Sequence, residues 1–423
     1  MDKIQETMSN TTFNTAIRDS FGSVVEGELA KGAGLSIIHL IDALIEHAHA
    51  VRASDIHIDP FDTGVAVRFR IDGLLQDAHQ FPLIIHNEII SRVKILCGLR
   101  TDEHQMAQDG RFRVQLHDET PIDVRVSIVP VSHGENAVLR LLSDDAQSFS
   151  LESLGFTPEN IAQIVESIKK PYGMILATGP TGSGKTTTLY TLIKMLNAKS
   201  TSILTIEDPV EYSIAGINQI QVNPRTGLTF ANGLRSMLRQ DPNTIMVGEI
   251  RDEETAGLAV NISLTGHLVF STLHTNDAAT TLPRLLDMKV EPYLIASTVN
   301  VAVGQRLLRK LCNACKEEKT LTPAEVNSLD GFVPKKLLSA GKSVFESRGC
   351  AECRGTGYRG RIGIQEVLVV TPAIRDAILR RASSSELRAI AVHEGMVPIV
   401  VDGFKKVLSG MTTIEEVLRM RYE

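Results

Sequence analysis

Residues 179–186 read Gly-Pro-Thr-Gly-Ser-Gly-Lys-Thr, which fits the spacing G-x-x-x-x-G-K-S/T. Small residues let such a loop close around a polyphosphate, with its N–H groups pointing inward at the start of a helix. Lys185 would reach the β- and γ-phosphates, and the Thr186 hydroxyl would ligate Mg²⁺. The candidate nucleotide-binding residues are Gly179, Pro180, Thr181, Gly182, Ser183, Gly184, Lys185, Thr186 and Thr187. The bland alternative is a glycine loop of purely structural use. An apolar run before the loop and a helix-forming run after it favour the phosphate site.

Hydrolysis needs a carboxylate at the end of a neighbouring strand, placed to act on water and metal. The stretch "TIMVGEIRD" ends in Gly248-Glu249, a Walker-B-like strand with Gly where Asp is usual. "ILTIEDPVEY" ends a second strand with Glu207, Asp208 and Glu211. Glu249 is the first choice for polarising the water and Glu207 the competitor, while the Gly leaves the second metal ligand open. "LTGHLVFSTLHTND" places His267 and His274 at the two ends of a fourth strand, with Thr272 and Thr275 beside the second. A γ-phosphate sensor is one reading of these histidines, and structural histidine is the other.

Cys312-Asn-Ala-Cys315 and Cys350-Ala-Glu-Cys353 form two C-x₂-C pairs. Each pair offers two thiolates at the reach of one tetrahedral ion, and four cysteines make a closed, structural Zn²⁺ arrangement. Cys97, in "VKILCGL", reads as a buried apolar residue.

The elements that must position these groups are legible as periodicity. "LSIIHLIDALIEHAHAV" and "NEIISRVKILCGL" carry apolar residues at helical spacing. "GVAVRFRIDGLLQDA" alternates and turns at Asp72-Gly73, a hairpin signature. With the alternating runs "GRFRVQL", "PIDVRVSIVP" and "ENAVLRLL" they predict an α+β domain over 35–145. Beyond a linker at 146–155, strands at "GMILAT", "SILTIE", "TIMVGE" and "HLVFSTL" alternate with helices, which predicts a mostly parallel sheet covered on both faces. Residues 1–34 read as a flexible polar arm, and 361–423 as a helical C-terminal region.

Composition narrows the class. With 44 Lys plus Arg against 50 Asp plus Glu the net charge is −6, and aromatics are 4% with no Trp, which argues against a nucleic-acid-coating surface. The N-terminus lacks a signal-peptide pattern, and no apolar run reaches the roughly 18–20 residues that span a bilayer. The expectation is a cytoplasmic chain that meets membrane through partners.

In their order, "GPTGSGKTTTLY", "TIEDPVE", "VGEIRD" and "TGHLVFSTLHTNDA" resemble the secretion ATPases of type II secretion and type IV pilus assembly. "RASDIHIDP", "VRFRIDG", "DGRF" and "SIVPVSHGENAVLRLL" resemble the domain that precedes the ATPase core in that family, so the resemblance covers about 35–423. It implies an α/β, RecA-like P-loop ATPase core (156–310) behind a PAS-like α+β domain, followed by a zinc element (311–360). It further implies a homohexameric motor that hydrolyses ATP with Mg²⁺, turning an inner-membrane platform protein. Arg68, Arg70, Arg111 and Arg113 then become candidates for the γ-phosphate, Arg70 and Arg113 foremost, in the manner of arginine fingers. Arg235 and Arg239, four apart on one helix, are candidates for bracing the site or a subunit interface. The tetracysteine insert is typical of the secretion and pilus-extension branch. That branch also carries a further platform-docking domain, for which the residues before Leu35 are too few; a truncated chain and a different docking mode are the two readings. A RecA-like nucleic-acid translocase is the alternative function, and a nucleotide-gated scaffold without turnover a third.

Overall fold

The computed structural model describes residues 21–143, 149–329 and 341–420, together with Gly331, Leu337 and Ser339. The chain divides into two compact units, residues 1–146 with 350–355, and residues 147–349 with 356–423.

In the first unit, helix α1 (21–29) precedes α2 (Ile37–Ala50). Ser36 starts α2 by accepting the His39 amide on its Oγ. Three strands follow, β1 (Ala53–Phe61), β2 (Gly64–Ile71) and β3 (Leu74–Phe81), then helix α3 (His86–Cys97). Strands β4 (Gln108–Gln115), β5 (Pro121–Val131) and β6 (Gly134–Ser143) complete an antiparallel sheet of order β3-β2-β1-β6-β5-β4. The β2–β3 hairpin turns at Asp72 and Gly73, both at positive φ, with Ile71 opposite Leu74. This is the two-residue turn that the Asp-Gly pair predicts. One core cluster joins the apolar stripe of α2 (Leu40, Ile41, Leu44) and of α3 (Ile89, Ile90, Val93) to Ile56, Val67, Val124 and Leu139 of the sheet.

The arm expected over 1–34 departs from expectation from residue 21 onward. Val25 of α1 is fully buried, and Glu26 bonds His79 Nδ1 at 2.6 Å. Residues 1–20 of that arm lie outside the described residues. So does the 144–148 part of the linker, whereas Leu151 in its second half is buried and Leu154 accepts from the Gly363 amide.

The second unit opens with α4 (Pro158–Ile168) and is built on a seven-stranded sheet of order β15-β12-β7-β11-β10-β8-β9. Its strands are β7 (Gly173–Thr178), β8 (Ile203–Glu207), β9 (Asn218–Gln221), β10 (Thr244–Val247), β11 (Leu268–Leu273), β12 (Val299–Leu311) and β15 (Tyr358–Val369). All neighbours run parallel except β12 and β15. Strands β7, β8, β10 and β11 are buried along their whole length, as apolar runs sandwiched between helices must be. The helices concerned are α5 (Lys185–Leu196), α6 (Phe230–Met237), α7 (Glu253–Leu264), α8 (Ala278–Asp287) and α9 (Pro292–Thr298). The sheet therefore extends past the expected core boundary at 310, and β15 occupies the opening of the region expected to be helical. Beyond β15 come the helices α11 (Pro372–Leu379), α12 (Ser384–His393), α13 (Ile399–Leu408) and α14 (Ile414–Arg419), the last capped by Thr413. Between β12 and β15 a two-stranded ribbon, β13 (Lys316–Thr320) and β14 (Ser343–Ser347), flanks α10 (Pro323–Ser328). Among the described residues no helix is long and apolar enough to cross a membrane.

Candidate functional site

The phosphate loop leaves the C-terminal end of β7. Thr178, fully buried, ties that end to the next strand by donating to Leu273 O and Thr275 O, and it accepts the Thr275 amide. Gly179 then passes against β12: a Cβ there would sit 2.4 Å from the Gln305 carbonyl oxygen, at φ +146. No larger residue makes that approach.

Helix α5 begins at Lys185 with Gly184 as its N-cap, and no side chain caps it. Its first amides are therefore left to a ligand, and the helix dipole favours an anion there. Ser183 Oγ is buried and has no hydrogen-bond partner among the described residues, the condition expected of a group built to meet a phosphate oxygen. The Lys185 ammonium donates to Gly179 O (2.8 Å) and Pro180 O (3.0 Å). Burial pushes it down to about 8, with Glu249 opposing and Arg306 reinforcing the shift. The half-buried Thr186 follows on the first turn, where it would hold Mg²⁺. These residues fit a Mg²⁺–nucleotide.

Glu249 lies beyond the end of β10 on a peptide pinned from both sides. Gly248 N donates to Ile206 O, Thr272 Oγ1 to Gly248 O, and Ile250 N to Thr272 O. The Glu249 carboxylate meets Arg251 Nη2 at 2.5 Å and His274 Nε2 at 3.2 Å. The Arg251 guanidinium is held above its ordinary proton affinity, chiefly by that hydrogen bond.

Glu207 is placed differently. It is 2% exposed, accepts from Thr205 Oγ1 (2.6 Å) and Gln219 Nε2 (3.2 Å), and is bonded by the Tyr190 hydroxyl. Burial raises its proton affinity against the pull of those donors. Tyr190 belongs to α5, so Glu207 fastens the β8 strand to the helix that follows the phosphate loop.

The two histidines do not meet. Both flank β11, but β7 and β11 run parallel with Gly173 opposite Leu268, so His267 lies at the end remote from the phosphate loop. A six-residue strand at roughly 3.3 Å per residue separates them by about 20 Å. His267 Nδ1 lies 3.1 Å from Ile262 O, at the end of its own preceding helix. Arg235 bonds Glu254 of α7 (2.5 Å), and Arg239 turns back onto Arg235 O (3.0 Å). In the first unit, Arg68 pairs with Asp59 (2.7 Å), Arg70 with Asp55 (3.4 Å) and Arg113 with Asp123 (2.8 Å), while Arg111 is exposed. Two residues of the site have no motif in sequence: Gln305, whose Oε1 accepts from Thr188 (2.8 Å), and its neighbour Arg306.

The sulfur atoms of Cys312, Cys315, Cys350 and Cys353 lie within 4.8 Å of one another. Cys350 and Cys353 Sγ are 3.7 Å apart, close to the roughly 3.8 Å edge of a tetrahedron with 2.3 Å metal–sulfur bonds. Ser347 Oγ stands 3.3 Å from Cys315 Sγ, and the Cys350 amide donates to Cys353 Sγ (3.1 Å). The donor set fits Zn²⁺. Cys97 is remote in kind, since burial pushes its thiol up to about 11.

A family model described as Type II/IV secretion system protein matches residues 31–419. The chain is 46% identical over 384 residues to Type II secretion system protein E of Xanthomonas campestris pv. campestris, covering 91% of this chain and 67% of that one. It is 43% identical over 392 residues to the type IV pilus assembly ATPase PilB of Myxococcus xanthus, covering 92% and 69%. Among solved structures, the pilus retraction motor PilT with bound ADP superposes with a TM-score of 0.61 at 26% identity, over 90% of this chain and 96% of that one.

Proposed function

The chain belongs to the Type II/IV secretion system protein family, and on that premise we propose that it is an ATP-hydrolysing motor for assembly of a pilus or pseudopilus. The observation that carries the reading is one edge of one sheet. Loop 179–186, Glu249 and His274 all follow the C-terminal ends of adjacent parallel strands there.

The chemistry assigns roles. Loop amides and Lys185 bind the phosphates, and Ser183 Oγ gains its missing partner. Mg²⁺, when bound at Thr186, neutralises charge between the outer phosphates. Glu249 accepts a hydrogen bond from the attacking water and orients it in line. Arg251 and His274 hold that carboxylate in place, and His274 is the candidate sensor of the outer phosphate. Glu207 supports α5 rather than the water. The zinc cysteines would clamp the base of the excursion between β12 and β15.

We further propose that the motor is a homohexamer acting on an inner-membrane platform protein from the cytoplasmic side. In such a ring Arg70 and Arg113 would exchange their carboxylate partners for phosphate. The Arg113–Asp123 pair is largely exposed and worth only about 0–1 kcal/mol, so for Arg113 the exchange costs little, while the buried Asp55 would keep Arg140 when Arg70 leaves.

The test is ATP hydrolysis by the purified chain against protein concentration, with mass measured alongside, with and without DNA. Specific activity that rises with ring formation and ignores DNA supports the motor. Full activity in the monomer, or strong stimulation by DNA, points to a translocase instead.

A further inference from the structure

Strand β12 runs parallel to β7 with Gly304 opposite Thr178, so its next two residues accompany the chain into the phosphate loop. Alternation sends them to opposite faces. Gln305 turns to α5 and accepts from Thr188. Arg306 turns the other way. Its Nη2 donates to Asn276 O at 2.8 Å, two residues past His274, and its Nη1 donates to Gln305 O at 3.0 Å. A Cβ on Gly179 would lie 2.4 Å from Gln305 O and 3.1 Å from Nη1, so the Gln305 carbonyl that Nη1 holds, and the guanidinium beside it, border the first residue of the phosphate loop.

We infer that Arg306 is a positioning residue for phosphoryl transfer, clamping the loop that carries His274 against the start of the phosphate loop. The inference rests on the ATPase reading of the site. His274 touches Glu249, and Lys185 belongs to the other loop, so the clamp sets the spacing between the water-orienting and phosphate-binding halves. A guanidinium suits this position because its rigid fork binds Asn276 O and, on its own strand, the Gln305 carbonyl that packs against Gly179, which a single ammonium does less well. The cation is close enough to act on Lys185. It adds fixed positive charge beside the loop without being in its motif.

The experiment is steady-state ATP hydrolysis by the full chain as wild type, Arg306→Gln, Arg306→Lys, His274→Ala and Arg306→Gln/His274→Ala, with Lys185→Ala as the inactive control. Melting temperature and binding of a fluorescent ADP analogue are read on each. Arg306→Gln should lower kcat roughly 10- to 100-fold with KM changed less than about threefold, the pattern of an interaction that serves the transition state. Arg306→Lys should recover part of kcat. In the His274→Ala background the same Arg306 change should cost less than about threefold, because residues acting through one another are not additive.

Unchanged kcat in Arg306→Gln overturns the inference. So does a rise in KM alone, which would make Arg306 a ground-state binder. Full additivity with His274→Ala, or equal losses for Gln and Lys tracking lowered melting, would leave a merely structural arginine. Wild type no faster than Lys185→Ala would remove the ATPase reading, and the inference with it.

Discussion

The two acidic strands invite a paired test, Glu249→Gln against Glu207→Gln. Glu249 is approached by the Arg251 and His274 side chains, both about half or more exposed. Glu249 itself is buried, but glutamine keeps its volume and one acceptor oxygen and both partners can turn to water, so melting should move less than in Glu207→Gln. The loss falls on chemistry, because an amide does not orient or accept from water as a carboxylate does. A positioned acid–base group contributes roughly 10²- to 10⁴-fold, so kcat should fall by that factor while nucleotide binding survives. Glu207→Gln has the opposite signature. Its two oxygens take bonds from Tyr190, Thr205 and Gln219 in a site closed to water. An amide keeps one acceptor oxygen and turns an NH₂ toward a donor, leaving a buried mismatch of about 1–3 kcal/mol. At about 2–4 °C per kcal/mol for a unit of this size, melting should drop by roughly 2–12 °C. Its activity at low temperature should fall much less than that of Glu249→Gln. Phosphate release at saturating ATP and differential scanning fluorimetry on both variants decide the matter. Glu207→Gln inactive at unchanged melting temperature, beside an active Glu249→Gln, would refute the assignment.

Lys185→Ala should abolish turnover and weaken nucleotide binding. The Lys185 ammonium is held down to about 8, so affinity for a fluorescent ADP analogue should be level below that pH and fall above it as the cation is lost. For the four cysteines, chelation or Cys350→Ser should reduce zinc below about one ion per chain, as a Cys₄ site requires all its thiolates. Limited proteolysis should then cut within 311–360 while ADP-analogue binding persists. In the first unit, burial and the charge of His79 push His47 down to about 4. Its folded pKa lies below the unfolded value near 6.5, so its contribution is present above pH 6.5 and is lost as pH falls toward 4. The melting temperature of wild type should decline through that window, and less steeply in His47→Gln.

What is legible in sequence is what chemistry forces into contiguous residues. A phosphate loop needs its glycines, lysine and threonine within eight positions, and a tetrahedral thiolate site needs its cysteines in close pairs. Strand β12 escapes because "TVNVAVG" follows α9 directly with no breaker between them, so the alternation of Val299, Val301 and Val303 is submerged in the run that begins in the helix. Strand β15 escapes for a related reason, its charged start "YRGRIG" hiding a buried end that, among the described residues, pairs only with β12. The two histidines look equivalent, yet a strand carries its flanking residues to opposite edges of a sheet. Residues 21–29 read as arm by polarity, though Val25 and Glu28 lie one helical turn apart and are buried together. Gln305 and Arg306 carry no motif at all; only the register of β12 beside β7 brings them to the loop.

Packing between neighbouring strands also bears on the missing aspartate of the Walker-B-like strand. A Cβ at Gly248 would stand 3.2 Å from Glu207 Cα and 3.3 Å from Ile206 O. Both distances are tighter than side chains ordinarily accept, so β8 would have to yield before an Asp could enter. It is not free to yield, because Glu207 is locked to α5 through Tyr190. The acid proposed to orient the water then stands one position later, at Glu249, whose backbone is fixed by Thr272 and whose longer side chain reaches His274. The glycine and the second acidic strand are thus two sides of one packing arrangement. Space given to Glu207 for holding the nucleotide helix is space the usual aspartate would have needed.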